Sequence, residues 1–224
     1  MATFGGTSFG DVGNVPAPSL KNPKGIRDIT EWYISTRTRR SYIHSVFEQQ
    51  YEIGIANLAR IHARIGDAVD GVFVCGTDFG TQTSAFCSVA TFRELWFPNY
   101  KRVNDWVHAN TSWKCFKHSC GSVERFFDSF IDAGFDIINA VQCSAAGMDP
   151  VELKRKYGPR LVFWGGGVDT QKTLPFGTPA RSTRGSVAPM RDFCAGRRIC
   201  VQFDSQPASR HSSGEHRRDA GCPT

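Results

Sequence analysis

No stretch of this chain approaches the roughly 18 consecutive apolar residues that a membrane-spanning helix needs, so no membrane partner is expected. The start, Met1-Ala2-Thr3-Phe4-Gly5-Gly6, has no basic stretch leading into an apolar core, and no secretory signal is read there. Eight cysteines, at 75, 87, 115, 120, 143, 194, 200 and 222, lack the spacing of a disulfide framework. Without a signal, reduced thiols in a cytoplasmic setting are expected. Also missing is any interleaving of basic and aromatic residues on one face. Of the net charge of +6, residues 181–224 supply +4, eight arginines against four acids, in a run of Arg, Ser, Gly and Pro without periodicity. Nucleic-acid binding is therefore not expected.

What is present is an ordinary globular composition over 224 residues, enough for one large domain. Residues 1–28 are rich in Gly, Pro and Asn and read as loop. A short helix is expected after Asp28, with Trp32 and Tyr33 partly buried. From Ser41 to about Ile65, Ile43, Val46, Phe47, Ile53, Ile55, Leu58, Ile61 and Ile65 recur at helical spacing. Gly71-Val72-Phe73-Val74-Cys75 is a continuous apolar run, as in a strand buried on both faces. A helical pattern over 89–109 is divided by Pro98. A second strand is expected over 113–118 and a third over 135–141. A helix over 150–157 and a fourth strand over 161–164 follow. Successive βα units call for a parallel sheet.

The second strand closes on His118-Ser119-Cys120-Gly121. Residues i and i+2 of a regular strand share a face, so this imidazole and thiolate could reach one ion, and the pair suits zinc. Two ligands do not make a site, and a histidine bonded to backbone beside a buried cysteine is the competing reading. Polar residues nevertheless gather after every strand: Asp78 and Gln82, His118 and Cys120, Asn139 and Gln142, Asp169 and Gln171. In a barrel of βα units, active sites lie at the strands' carboxyl ends. Four units make about half of such a barrel. The expected fold is α/β, a partial (truncated) TIM-type (β/α)8 barrel holding the later βα units only.

Four ordered stretches between Lys21 and Pro179 resemble the uroporphyrinogen decarboxylase superfamily, which includes zinc-dependent, corrinoid-linked methyltransferases. They are Phe92-Arg93-Glu94-Leu95-Trp96-Phe97-Pro98-Asn99-Tyr100-Lys101-Arg102, Lys117-His118-Ser119-Cys120-Gly121, Ala133-Gly134-Phe135-Asp136-Ile137 and Gly165-Gly166-Gly167-Val168-Asp169. The resemblance implies His118 and Cys120 as metal ligands, because the methyltransferases use His-x-Cys-Gly for zinc and the decarboxylases lack it. Asp78, in a segment corresponding to one in the decarboxylases, is read as catalytic, and Gln82, Gln142 and Asp169 as substrate-contacting; for each of the four, capping or loop hydrogen bonding is the competing reading. On the methyltransferase branch the implied cofactors are zinc and methylcobalamin, and the implied partners a corrinoid protein or a small thiol acceptor. On the decarboxylase branch the substrate is a porphyrinogen and no cofactor is needed. A non-catalytic remnant is the third expectation.

The resemblance stops after Pro179. Read with a one-base shift, permitted codons for residues 180–222 give an amphipathic helix, three glycines, a strand, a polar loop and a helix start. That is the final βα unit the superfamily leads one to expect, although asparagine and histidine stand where the methyltransferases have a third ligand cysteine. The domain reading is accordingly a loop-rich segment over 1–28, a partial barrel over 29–179, and a basic, disordered, out-of-frame tail over 180–224. Such a fragment is expected to be impaired as an enzyme and prone to oligomerise or aggregate.

Overall fold

The computed structural model describes residues 2–3, 12–15, 21–22, 24–167, 169, 171–172, 176–177 and 199–200. Helices and strands alternate along most of that length. Strand β1 is Ala2–Thr3, and helices α1 (Ile29–Thr38) and α2 (Arg40–Ile65) follow it. Next come β2 (Gly71–Cys75), α3 (Val89–Leu95), α4 (Phe97–Asn110) and β3 (Lys114–His118). The order continues with α5 (Phe127–Asp132), β4 (Ile137–Asn139), α6 (Pro150–Tyr157), β5 (Val162–Trp164) and β6 (Ile199–Cys200).

Local chemistry sets the helix starts. Asp28 caps α1 by accepting from Glu31 N at 3.0 Å, Ser88 caps α3 through Thr91 N at 3.1 Å, and Asp149 caps α6 through Glu152 N at 2.9 Å. Each cap satisfies a backbone donor that the first turn leaves unpaired. Pro98 falls in the first turn of α4 and Pro150 in that of α6, where a missing N–H costs nothing. The expected break near Pro98 is therefore present, at Trp96.

All strand pairs are parallel, and the sheet runs in the order β1-β2-β3-β4-β5-β6. The four internal strands are the four expected from the sequence. The two-residue strands at either side were not expected: Ala2–Thr3 lies in the segment read as loop, and Ile199–Cys200 in the tail read as disordered. The rest of 180–224 lies outside the described residues.

Register divides the sheet into two faces. Val72, Cys115, Lys117, Ile138 and Phe163 share one face, and all are buried. Phe73, Phe116, Ile137 and Val162 share the other, where Phe73, Ile137 and Val162 are only half-buried. Burial on both faces, expected for the first of these runs, is thus complete on one side alone. The fully buried side meets an aromatic core of Phe79, Phe92, Trp96, Phe126 and Phe130, with Phe79 touching each of the other four at ring-centroid distances of 5.1–6.0 Å. Helix α2 buries Ile43, Phe47, Tyr51 and Leu58, while Ile53 is 49% exposed despite its place in the apolar pattern. Gln50 occupies the buried stripe because its amide is matched: it accepts from Gly13 N at 2.9 Å and donates to Asn14 O at 3.1 Å.

Candidate metal centre

Asp78 follows β2, and His118 ends β3 with Cys120 two residues on. Because β2 and β3 are adjacent parallel strands, their carboxyl ends lie side by side. The ligand atoms of Asp78, His118 and Cys120 all fall within 4.8 Å of one another. His118 Nε2 is 3.4 Å from Cys120 Sγ and 3.6 Å from Asp78 Oδ1. Bonds of roughly 2.0–2.3 Å at tetrahedral angles place zinc ligands about 3.4–3.6 Å apart, so these separations fit one ion.

The pleat is not what brings His118 and Cys120 together. Cys120 lies beyond the strand, and Ser119 N still pairs with Asn139 O at 2.7 Å before the chain turns at Gly121, where φ is 85°. The loops after β2 and β3 are then pinned to each other. Cys120 N donates to Asp78 Oδ1 at 2.7 Å, and Phe79 N donates to Ser119 Oγ at 3.0 Å. Tyr33 adds a hydrogen bond to Asp78 O at 2.8 Å.

Asn139, at the end of β4, sets the histidine tautomer. Its Nδ2 donates to Trp164 O at 2.7 Å, which turns Oδ1 toward His118 Nδ1 at 2.5 Å. A carbonyl there accepts from Nδ1–H and leaves the Nε2 lone pair facing Asp78 and Cys120. Metal-ligating histidines are characteristically held in this way. The sequence showed Asn139 only as one of several polar residues after a strand; its register with His118 across β3 and β4 is what gives it this part.

The remaining expected site residues have structural partners. Gln142 Oε1 accepts from Gly121 N at 2.8 Å and from Gln82 Nε2 at 3.0 Å, so the two glutamines brace the ligand loop. Asp169 is engaged locally, accepting from Gln171 N at 2.8 Å and Lys172 N at 3.2 Å. At the opposite end of β3, His108, Cys115 and Asp136 also cluster. There Asp136 Oδ2 already receives Cys115 N at 2.8 Å and meets His108 Nε2 at 2.9 Å, Lys114 is 3.9 Å from Asp136, and burial pushes the Cys115 thiol far up. Through Asp136 this group ties the start of β3 to helix α4.

No family model and no curated protein matches the chain. A solved structure described as a methyltransferase from Methanosarcina mazei is similar, with 12% identity and a TM-score of 0.47. The likeness covers 67% of this chain and 41% of that one. So loose an overlap leaves function to be argued from the residues. On those, the chain is an α/β protein with a parallel sheet and an Asp–His–Cys cluster at its carboxyl edge.

Proposed function

We propose that Asp78, His118 and Cys120 hold a zinc ion, and that the chain derives from a zinc-dependent methyl transferase of the uroporphyrinogen decarboxylase superfamily, built on part of a TIM-type barrel. The observation that carries this reading is the meeting of an oxygen, a nitrogen and a sulfur ligand at two adjacent strand ends. Three protein ligands leave one position of a tetrahedral ion for an exchangeable group, the arrangement of catalytic rather than structural zinc. The side chain of Asp78 is 43% exposed, which puts the cluster at the molecular surface. Zinc, when bound, favours the thiolate of an incoming thiol, the form that accepts a methyl group. By accepting at Nδ1, Asn139 leaves Nε2 of His118 as the nitrogen that faces Asp78 and Cys120, and the bond from Cys120 N keeps Asp78 aimed at the same point.

That bond also argues against Cys120 as an acyl-transfer nucleophile. Its backbone N–H would be the natural oxyanion donor, yet it is given to Asp78, and the next one, Gly121 N, to Gln142. Zinc content of purified protein, beside Asp78→Asn, His118→Ala and Cys120→Ser variants, tests the proposal. Near-stoichiometric zinc in the wild type and a fall to background in the His118 and Cys120 variants is the expected result. Equal zinc in all four proteins would remove the metal, and with it the preference over a metal-free decarboxylase.

A further inference from the structure

Lys117 is fully buried, one residue before the metal-ligand histidine, on the face of β3 that meets the aromatic core. Lysine is almost never fully buried without partners. Its Nζ donates to Thr77 O at 2.7 Å and also to His118 O. It lies 5.0 Å from the ring centroid of Phe79, 5.8 Å from Phe130 and 5.9 Å from Tyr100. Carbonyl acceptors and aromatic faces are what an ammonium needs in place of water.

The two carbonyls are not arbitrary. Thr77 immediately precedes Asp78, and the His118 carbonyl opens the link to Ser119 and Cys120. We infer that Lys117 is a positioning residue for the candidate centre, a buried clamp that fixes the β2 and β3 loops in the spacing their three ligands require. The inference rests on the metal reading for its purpose but not for its geometry. Without the ammonium, both carbonyls lose a charged donor, and the loops separate at their roots. The bonds further out, from Cys120 N, Phe79 N and Ser122 N and through the Gln82–Gln142 brace, then have to hold the alignment without the buried cation.

The substitutions are K117M, which keeps length and removes the donors, and K117R, which keeps a buried cation. Hydrogen exchange of the metal-free proteins is followed in peptides covering 76–82 and 118–122, with β4 and β5 as internal reference. Zinc affinity and the cobalt-substituted spectrum are measured on the same samples. K117M is expected to lose protection in both loops while β4 and β5 stay protected. It should also bind zinc about 10–100-fold more weakly with altered cobalt–thiolate bands, and K117R should restore protection and spectrum toward wild type. Should K117M fail to fold, native-like K117R with wild-type protection still supports the clamp. Loop deprotection in a protein whose wild type takes no metal would sustain the clamp and sink the metal reading. A folded K117M with unchanged loop protection, or with wild-type zinc affinity and spectrum, would overturn the inference. So would failure of both variants to fold, since Lys117 would then serve the whole core rather than the centre.

Discussion

Gly121 shows at the residue scale how closely the two ligand loops approach. It adopts φ of 85°, and a Cβ placed there would run into the backbone of Gly80 and Thr81. Both constraints select glycine: a side chain would sit in the left-handed region and against immovable carbonyl groups. Gly121→Ala is therefore expected to cost about 1–3 kcal/mol of strain, released by moving the loop and with it Cys120. Denaturant midpoints and zinc content of the variant check this together; normal stability and full zinc would show that the approach is not needed. The sequence carried the glycine but not its neighbour, because Gly80 follows a different strand. The same limit hid the third member of the cluster. His118 and Cys120 were legible as a pair from spacing, whereas Asp78, expected to be catalytic, joins them only through the pairing of β2 with β3.

Elements were more legible than contacts, for a physical reason. Helices α2 and α6 and strand β2 declare themselves through periodicity, caps and apolar runs, all of them local. Strand β4 was expected over seven residues but forms over Ile137–Asn139, because ladder pairing, not composition, ends a strand. Helix α5 is the clearest case of tertiary support. At six residues it is far shorter than an isolated helix that holds its shape in water. Phe130 anchors it, contacting Phe79, Phe92, Phe126, Phe127 and Phe135 and flanking the Lys117 ammonium. Phe130→Ala should destabilise the fold by about 3–5 kcal/mol, the usual cost of emptying a buried aromatic site. Phe130→Leu should recover much of that. The comparison is read from denaturant midpoints, and equal midpoints for all three proteins would mean that the aromatic core does not hold α5.

At the scale of the whole molecule, the core and the loops packed on it hold several ionisable groups in their neutral forms. Burial is the leading cause in each case. It pushes the thiols of Cys87 and Cys143 from 9.0 up to about 11, and that of Cys115 higher still. The phenols of Tyr33, Tyr100 and Tyr157 are likewise raised above 10.0, and Tyr100 is wholly enclosed and meets Cys75 Sγ at 2.8 Å. The sign follows from proton binding. A folded-state value above the unfolded one means that, at alkaline pH, the folded chain retains protons the unfolded chain has lost. Stability then falls as pH rises. Below the unfolded thiol value of 9.0 these groups are neutral in both states and contribute no slope. Loss should begin near pH 9 with the cysteines and steepen near 10 as the unfolded tyrosines ionise. It should persist beyond 11, where Cys87 and Cys143 themselves ionise in the folded chain. Denaturant midpoints taken from about pH 7 to about pH 11 should be flat at first and then decline; in a Tyr42→Phe background, which removes the tyrosine that is 50% exposed, tyrosinate absorbance should develop only as the chain unfolds. Cys115→Ala, which removes a thiol raised further than those of Cys87 and Cys143, should flatten the earliest part of the decline. Midpoints that hold level through about pH 10.5, or tyrosinate that forms in the folded Tyr42→Phe protein near pH 10, would show that these side chains reach solvent.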